Sequence, residues 1–232
     1  MKPIRLVCAT RHTRQQFATQ TALGQSLSIF RYTTPPELLL YDSNTHGLPR
    51  IYNTAIEYSR EHPAILVFIH DDVWLNDLFW VERIYDAARH FDIAGLAGNR
   101  RRLPGQPAWA FPKSDFRWDE PQYLSGTVGH GKGFPCNVVT YYGPSAVECK
   151  LLDGVMLIAD SDKLNERSVR FDERFDFHFY DMDFCRQAEL HGLRMGTWPI
   201  GITHESGGAF GSSGWRSNYQ KYLEKYGERI TL

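Results

Sequence analysis

Ala64-Ile65-Leu66-Val67-Phe68-Ile69-His70-Asp71-Asp72-Val73 is the stretch on which the fold of this chain turns. An apolar, β-branched run follows Pro63 and stops at charge, which is the length and composition of a strand buried on both faces of an α/β sheet. Such sheets present ligands at the carboxyl ends of their strands. Two adjacent carboxylates where a buried strand runs out are costly unless a cation, a helix terminus or a ligand uses them, so Asp71 and Asp72 are candidate site residues. The competing reading is that they only turn the chain toward a helix beginning near Asn76.

Upstream the pattern repeats. Ile4 to Ala9 reads as a first strand, followed by a helix from about Arg14 to Leu23, a weak alternation over Leu27 to Tyr32 that suggests a short strand, and a buried strand at Glu37 to Tyr41 ending on Asp42. A helix over Arg50 to Arg60 leads back to the opening stretch. Strand, helix, strand, helix, strand in this spacing predicts parallel βαβ units with right-handed crossovers.

Downstream, Leu78 to Phe91 has helical spacing with Asn76 as a candidate N-cap, and Ile93 to Ala97 reads as a further strand. From Gly98 to Gly143, Gly, Pro, aromatics and the basic run Arg100-Arg101-Arg102 replace clean periodicity, which predicts long connections with short strands that carry substrate contacts. Leu151 to Ile158 reads as a strand interrupted at Asp153-Gly154, where the glycine admits a close neighbour. Tyr180 opens a helix to about His191, with Asp181 and Asp183 roughly 200° apart around it, so that only one of them faces a given site. Leu193 to His204 reads as a strand. Taken alone, His204 shares a face with Ile200 and Ile202 and reads as a histidine satisfied in the core. Ser206 to Gly214 is a Gly/Ser-rich mobile loop by composition, and Trp215 to Arg229 a polar terminal helix.

Composition narrows the function. The 232 residues, 42% of them hydrophobic, suffice for one large domain, and 26 Lys plus Arg against 27 Asp plus Glu give no reason to expect nucleic acid or an acidic membrane as partner. Cys8, Cys136, Cys149 and Cys185 lack CxxC spacing, which suits reduced thiols. Ile4 to Thr10 is too short and polar for a signal segment, and no run reaches membrane-spanning length, so the expectation is a cytoplasmic protein without a transmembrane segment. Oligomeric state is not legible. The polar groups that follow strands, Asp42, Arg50, Asp71, Asp72, Asp181 and His204, gather along one edge of a parallel sheet. A carboxylate and an imidazole with two diphosphate oxygens fit an octahedral shell for magnesium or manganese.

With these residues in place the sequence resembles the inverting family 2 glycosyltransferases of the GT-A fold, most closely the streptomycin-biosynthesis-type branch. The resemblance is carried by Gly47-Leu48-Pro49-Arg50-Ile51-Tyr52-Asn53, Val67 to Val73, Leu152-Asp153-Gly154, Phe177 to Cys185 and His204-Glu205-Ser206, and runs from about Ile4 to Ser206. It implies an α/β, Rossmann-like three-layer sandwich with a mixed, mainly parallel central sheet. It also implies a single domain over 1–232, with a nucleotide-binding half to about 98, an acceptor and catalytic half from 99 to 214, and a C-terminal helix over 215–229.

The function so implied is metal-assisted, inverting transfer of a sugar from a nucleotide-diphosphate sugar to a carbohydrate or other hydroxyl acceptor. Ala9, Thr10, Asp42, Arg50 and Asp71 would bind the donor, and Asp72 and His204 would hold Mn2+ or Mg2+. Asp153 and Gly154 would lie on the acceptor side, and Asp181 would act as general base. Two positions depart from the family pattern: His70 stands where the first acidic residue of the metal motif is usual, and Tyr180 where a Glu is usual. A nucleotide-sugar-binding domain with weak or no transfer is therefore the alternative, and a nucleotidyltransferase is disfavoured by the lack of a Gly-rich phosphate loop near the first strand.

Overall fold

The computed structural model describes residues 2–29, 32 and 35–229. In chain order the elements are β1 (Ile4–Ala9), α1 (Arg14–Gln20), α2 (Ala22–Ile29), β2 (Glu37–Tyr41), α3 (Leu48–Tyr58), β3 (Ile65–Ile69) and β4 (Val73–Leu75). There follow α4 (Trp80–His90), β5 (Ile93–Gly95), β6 (Ala97–Asn99), β7 (Leu124–His130), β8 (Val138–Gly143), β9 (Leu151–Leu152) and β10 (Met156–Asp160). The chain continues through α5 (Ser161–Glu166), α6 (Tyr180–Leu190), β11 (Met195–Thr197), β12 (Ile202–His204) and α7 (Ser213–Tyr226).

The central sheet has the order β11-β5-β10-β3-β1-β2. β1 runs parallel to β2 and β3, and β5 parallel to β11, while β10 is antiparallel to both of its neighbours. This is the mixed, mainly parallel α/β architecture expected of a Rossmann-like GT-A fold. Every residue of β3 is buried, as the continuous apolar run requires of a strand covered on both faces. α3 packs on β1 and against α5, and α4 on β5 and β10. A second sheet, β4-β12-β7-β6-β9 with β8 paired to β7, lies beside it, and both share one hydrophobic cluster.

Four times the chain passes directly from one sheet to the other: β3 to β4, β5 to β6, β9 to β10 and β11 to β12. The first crossing is His70-Asp71-Asp72 and the third is Asp153-Gly154-Val155. Because β10 is antiparallel with Met156 opposite Ile69, the third crossing meets the carboxyl end of β3 at the same edge. β12 then pairs antiparallel with β4, His204 opposite Val73, which sets His204 beside Asp72.

Several sequence expectations are corrected here. Leu27 to Ile29 belongs to α2 rather than to a strand, with Phe30 and Arg31 outside the described residues. The first helix breaks at Thr21, whose hydroxyl bonds back to the Phe17 carbonyl at 2.8 Å and accepts from the Gly24 N–H at 3.1 Å. Asn76 does not cap α4: its amide donates to the Thr203 hydroxyl at 2.6 Å, and the helix starts after Phe79 with no side-chain cap, Asp77 accepting from the Phe79 N–H in the turn before it. α7 is amphipathic, burying Trp215, Tyr219, Tyr222 and Leu223. The polar residues of α7 that matter most face inward too. Lys225 Nζ lies 2.6 Å from Asp183 and 2.7 Å from Asp172, and Tyr226 donates to Asp183 at 2.6 Å.

Candidate active site

His70, Asp72 and His204 converge at the seam between the sheets. The ligand atoms they offer lie within 4.8 Å of one another, with His204 Nε2 3.3 Å and His70 Nδ1 4.0 Å from Asp72 Oδ1. The three side chains are 15%, 29% and 16% exposed in the order His70, Asp72, His204, so they are shielded but reachable. Burial by itself would raise the Asp72 pKa, yet the His204 and His70 imidazoles beside it hold the carboxyl at about 2. His204 is moved up, since the Asp72 carboxylate outweighs its burial. His70 moves down because burial disfavours its cation.

This donor set fits a divalent cation on one specific observation. Asp72 Oδ1 is buried and, among the described residues, no hydrogen-bond donor meets it in good geometry, the His204 imidazole at 3.3 Å standing beside it as an ion-pair partner. A buried acceptor left in that state is costly unless something charged occupies the space in front of it. Glu205, the next carboxylate along, is anchored through one oxygen: its Oε1 accepts from Trp74 Nε1 at 2.9 Å and from the Gly133 N–H at 3.1 Å.

Asp181 opens onto the same cavity, of about 650 Å3, as the His-Asp-His group. It sits in the first turn of α6, where its two oxygens accept from the N–H groups of Met182 (2.8 Å) and Gly154 (3.1 Å). Burial, reinforced by the Asp153 carboxylate, pushes its pKa to about 7 despite those bonds. A carboxyl poised there exchanges protons at neutral pH. Asp183, by contrast, is fully buried against Lys225 and Tyr226, so the two acids of α6 do point apart as the helical spacing requires. Phe179, just before α6, is held at φ 67° by aromatic packing on Trp215, Tyr219 and Tyr222. A left-handed conformation at a bulky residue stores strain of about 1–3 kcal/mol and fixes how the helix enters the cavity.

Asp153 and Gly154 line the cavity as well. Asp153 accepts from Trp109 Nε1 at 2.6 Å and from the Val155 N–H at 2.8 Å, and the close neighbour that Gly154 admits is the Tyr180 phenol. A Cβ built at Gly154 would stand 2.3 Å from the Tyr180 hydroxyl oxygen.

The remaining predicted residues lie elsewhere on that sheet edge. Thr10 donates to Asp71 Oδ2 at 2.6 Å across the ends of β1 and β3. Ala9, immediately before Thr10, ends β1 in register with Tyr41. Asp42 accepts from the backbone N–H of Arg14 at the start of α1, and Arg50 is exposed in the first turn of α3. None of these five lines the cavity.

Sequence reasoning missed most of the cavity wall. Trp109, Phe111, Trp118 and Tyr142, from the irregular 98–143 region, join Phe177 and Phe210; Trp118 and Tyr142 stack at 5.0 Å between centroids. Trp118 and Phe177 are each 52% exposed and Phe210 44%, a large apolar exposure for one site. Of the basic run, Arg101 braces that wall by pairing with buried Asp119, which also takes Asn99 Nδ2 at 2.9 Å, while Arg102 pairs with Glu189 and Arg100 donates to the Gln122 carbonyl at 3.3 Å. His70 was also missed as a candidate ligand, although period-two spacing from Asp72 was visible.

Comparison with known proteins adds three structural likenesses. S. aureus TarS matches over 88% of this chain and 37% of its own, at 12% identity and a TM-score of 0.46. TarS 1-349 matches over 88% of this chain and 60% of its own at 13% identity and TM-score 0.45, and its complex with UDP over 86% and 60% at 12% and 0.43. This chain thus spans less than two thirds of those chains. No family model and no curated protein matches the sequence. Among the described residues no helix is long and apolar enough to cross a membrane.

Proposed function

We propose that this chain is an inverting glycosyltransferase that moves a sugar from a nucleotide-diphosphate donor to an acceptor hydroxyl. One observation carries the reading: a carboxyl with its pKa at about 7, Asp181, shares a cavity with the clustered donors His70, Asp72 and His204. In this reading Asp181 accepts the proton of the acceptor hydroxyl as that oxygen attacks the anomeric carbon opposite the diphosphate, inverting it in one displacement. Asp72, His204 and His70 hold Mn2+ or Mg2+, which when bound supplies charge stabilisation to the departing nucleoside diphosphate. Thr10, Asp71, Asp42 and Arg50 bind the nucleoside and diphosphate along the sheet edge. Phe210 and the glycines beside it cover the cavity and exclude water, whose attack is the competing reaction.

The cavity wall supports an uncharged acceptor. Its lining, among the described residues, includes aromatic faces suited to a sugar ring and no Lys or Arg to neutralise an anionic one. The test is turnover of a panel of nucleotide-sugars, by transfer or hydrolysis, followed by NMR with Mg2+ present. Asp181→Asn is expected to lower turnover by about a hundredfold or more while nucleotide binding persists. Undiminished turnover in that variant removes Asp181 from the role, and tight nucleotide-sugar binding by the native chain without any turnover points instead to a binding domain.

A further inference from the structure

Tyr180 Oη lies 2.8 Å from His70 Nε2 and 2.8 Å from the carbonyl oxygen of Gly154. A carbonyl has no proton to give, so the single phenolic proton lies between the two oxygens, and Tyr180 turns only a lone pair toward the imidazole. His70 Nε2 therefore carries the ring proton. Its other nitrogen, Nδ1, is left bare and faces Asp72 Oδ1 at 4.0 Å. We propose that Tyr180 is a positioning residue: it fixes the Nε2–H tautomer of His70, so that Nδ1 serves as the third protein donor to the cation held by Asp72 and His204.

The arrangement is rigid. Tyr180 is buried at 2% exposure, begins α6 and packs against Tyr52 and Phe171. One peptide serves both parts of the site, since the Gly154 carbonyl takes the Tyr180 proton while the Gly154 N–H donates to Asp181. A hydrogen-bonded partner on the far nitrogen of a ligating histidine sets ring orientation, and its loss typically costs 10–100-fold in metal affinity. His70 and Tyr180, the two departures from the family pattern, are thus a matched pair. The inference deepens the metal centre of the proposed function, and it is read without donor or acceptor, so its failure and the failure of glycosyl transfer are distinguishable.

The experiment uses the full chain. Mn2+ alone is titrated against wild type and Tyr180→Phe, following loss of the free-ion electron paramagnetic resonance signal. The expected result is a fall in affinity of about tenfold or more in the variant; unchanged affinity overturns the proposal. Long-range nitrogen–carbon correlations of the metal-free wild type provide a readout independent of any variant's folding. They are expected to show His70 protonated at Nε2, and an Nδ1–H tautomer overturns the assignment.

Discussion

In the proposed reaction Asp181 and Asp153 set the chemistry between them. Asp181 is pushed to about 7, first by burial and then by the neighbouring Asp153 charge. As the proposed base it works only when deprotonated, so turnover is expected to rise with pH through about 7 and to level off above it. Asp153→Asn removes one of the two causes and is expected to move that acid limb downward by about one unit, as read from a pH profile of kcat/KM. A profile that stays in place would assign the limb to another group. At this scale the sequence was informative about acids and poor about their surroundings. Asp71 and Asp72 stood out because charge at the end of an apolar run is costly, whereas Asp181 and His204 joined them through the gathering of polar groups along one sheet edge and took their roles from the family resemblance. The aromatic wall did not, because Trp109, Trp118 and Tyr142 lie in a segment without periodicity, where neither period two nor period 3.6 assigns a face.

Among the elements, α6 and α7 illustrate how one helix can carry both function and anchorage. Asp181 faces the cavity, while Asp183, at the other side of α6, is closed in by Lys225 and Tyr226 of α7. Burial raises the Asp183 pKa, and Lys225 works against that shift. Lys225→Ala would leave the buried carboxylate without its cation, and is expected to lower unfolding free energy by about 3 kcal/mol or more in a urea titration. A loss below roughly 1 kcal/mol would mean that the pair contributes as little as a surface bridge. Gly154→Ala tests the other side of α6. A Cβ there meets Tyr180 and Asp181, so displacement of the helix start is expected to cut turnover by about a hundredfold while the far-ultraviolet spectrum is kept. Retention of wild-type turnover would show that the close packing is not needed.

The same scale explains where the strand assignments drifted. Ile93 to Ala97 and Leu193 to His204 each read as one strand, and Leu151 to Ile158 as one strand interrupted at Asp153-Gly154; each divides as the chain changes sheets. The existence of a strand is written in apolar, β-branched runs, and those survive a crossing; membership of a sheet depends on partners distant in sequence. β2 and α6 were legible nearly to the residue because each carries its own boundary, Asp42 after β2 and Gly192 after α6, whereas α3 starts at Leu48, two residues before the expected Arg50, with Gly47 as its N-cap and Pro49 in its first turn.

For the whole molecule, the site is a property of the seam. Two of the four crossings supply His70, Asp72, Asp153 and Gly154, and pairing of β4 with β12 brings His204 from 132 residues further along the chain than Asp72. Ligands that bind there tie the two sheets together. A nucleoside diphosphate with Mn2+, present at about a hundred times its dissociation constant, is expected to add about 2.7 kcal/mol, which is roughly 5–10 °C in Tm for a chain of this size. The shift should vanish with EDTA and in Asp72→Ala; a shift that persists in both would place nucleotide binding outside the His-Asp-His centre.

The most direct measurement is an anomalous difference map, at the manganese edge, of crystals grown with Mn2+ and a nucleoside diphosphate. One peak coordinated by His70 Nδ1, Asp72 and His204, with the diphosphate beside it and the Asp181 carboxyl facing the same cavity, is the predicted result. Manganese bound away from those three residues, or absent from them at saturating concentration, would contradict it.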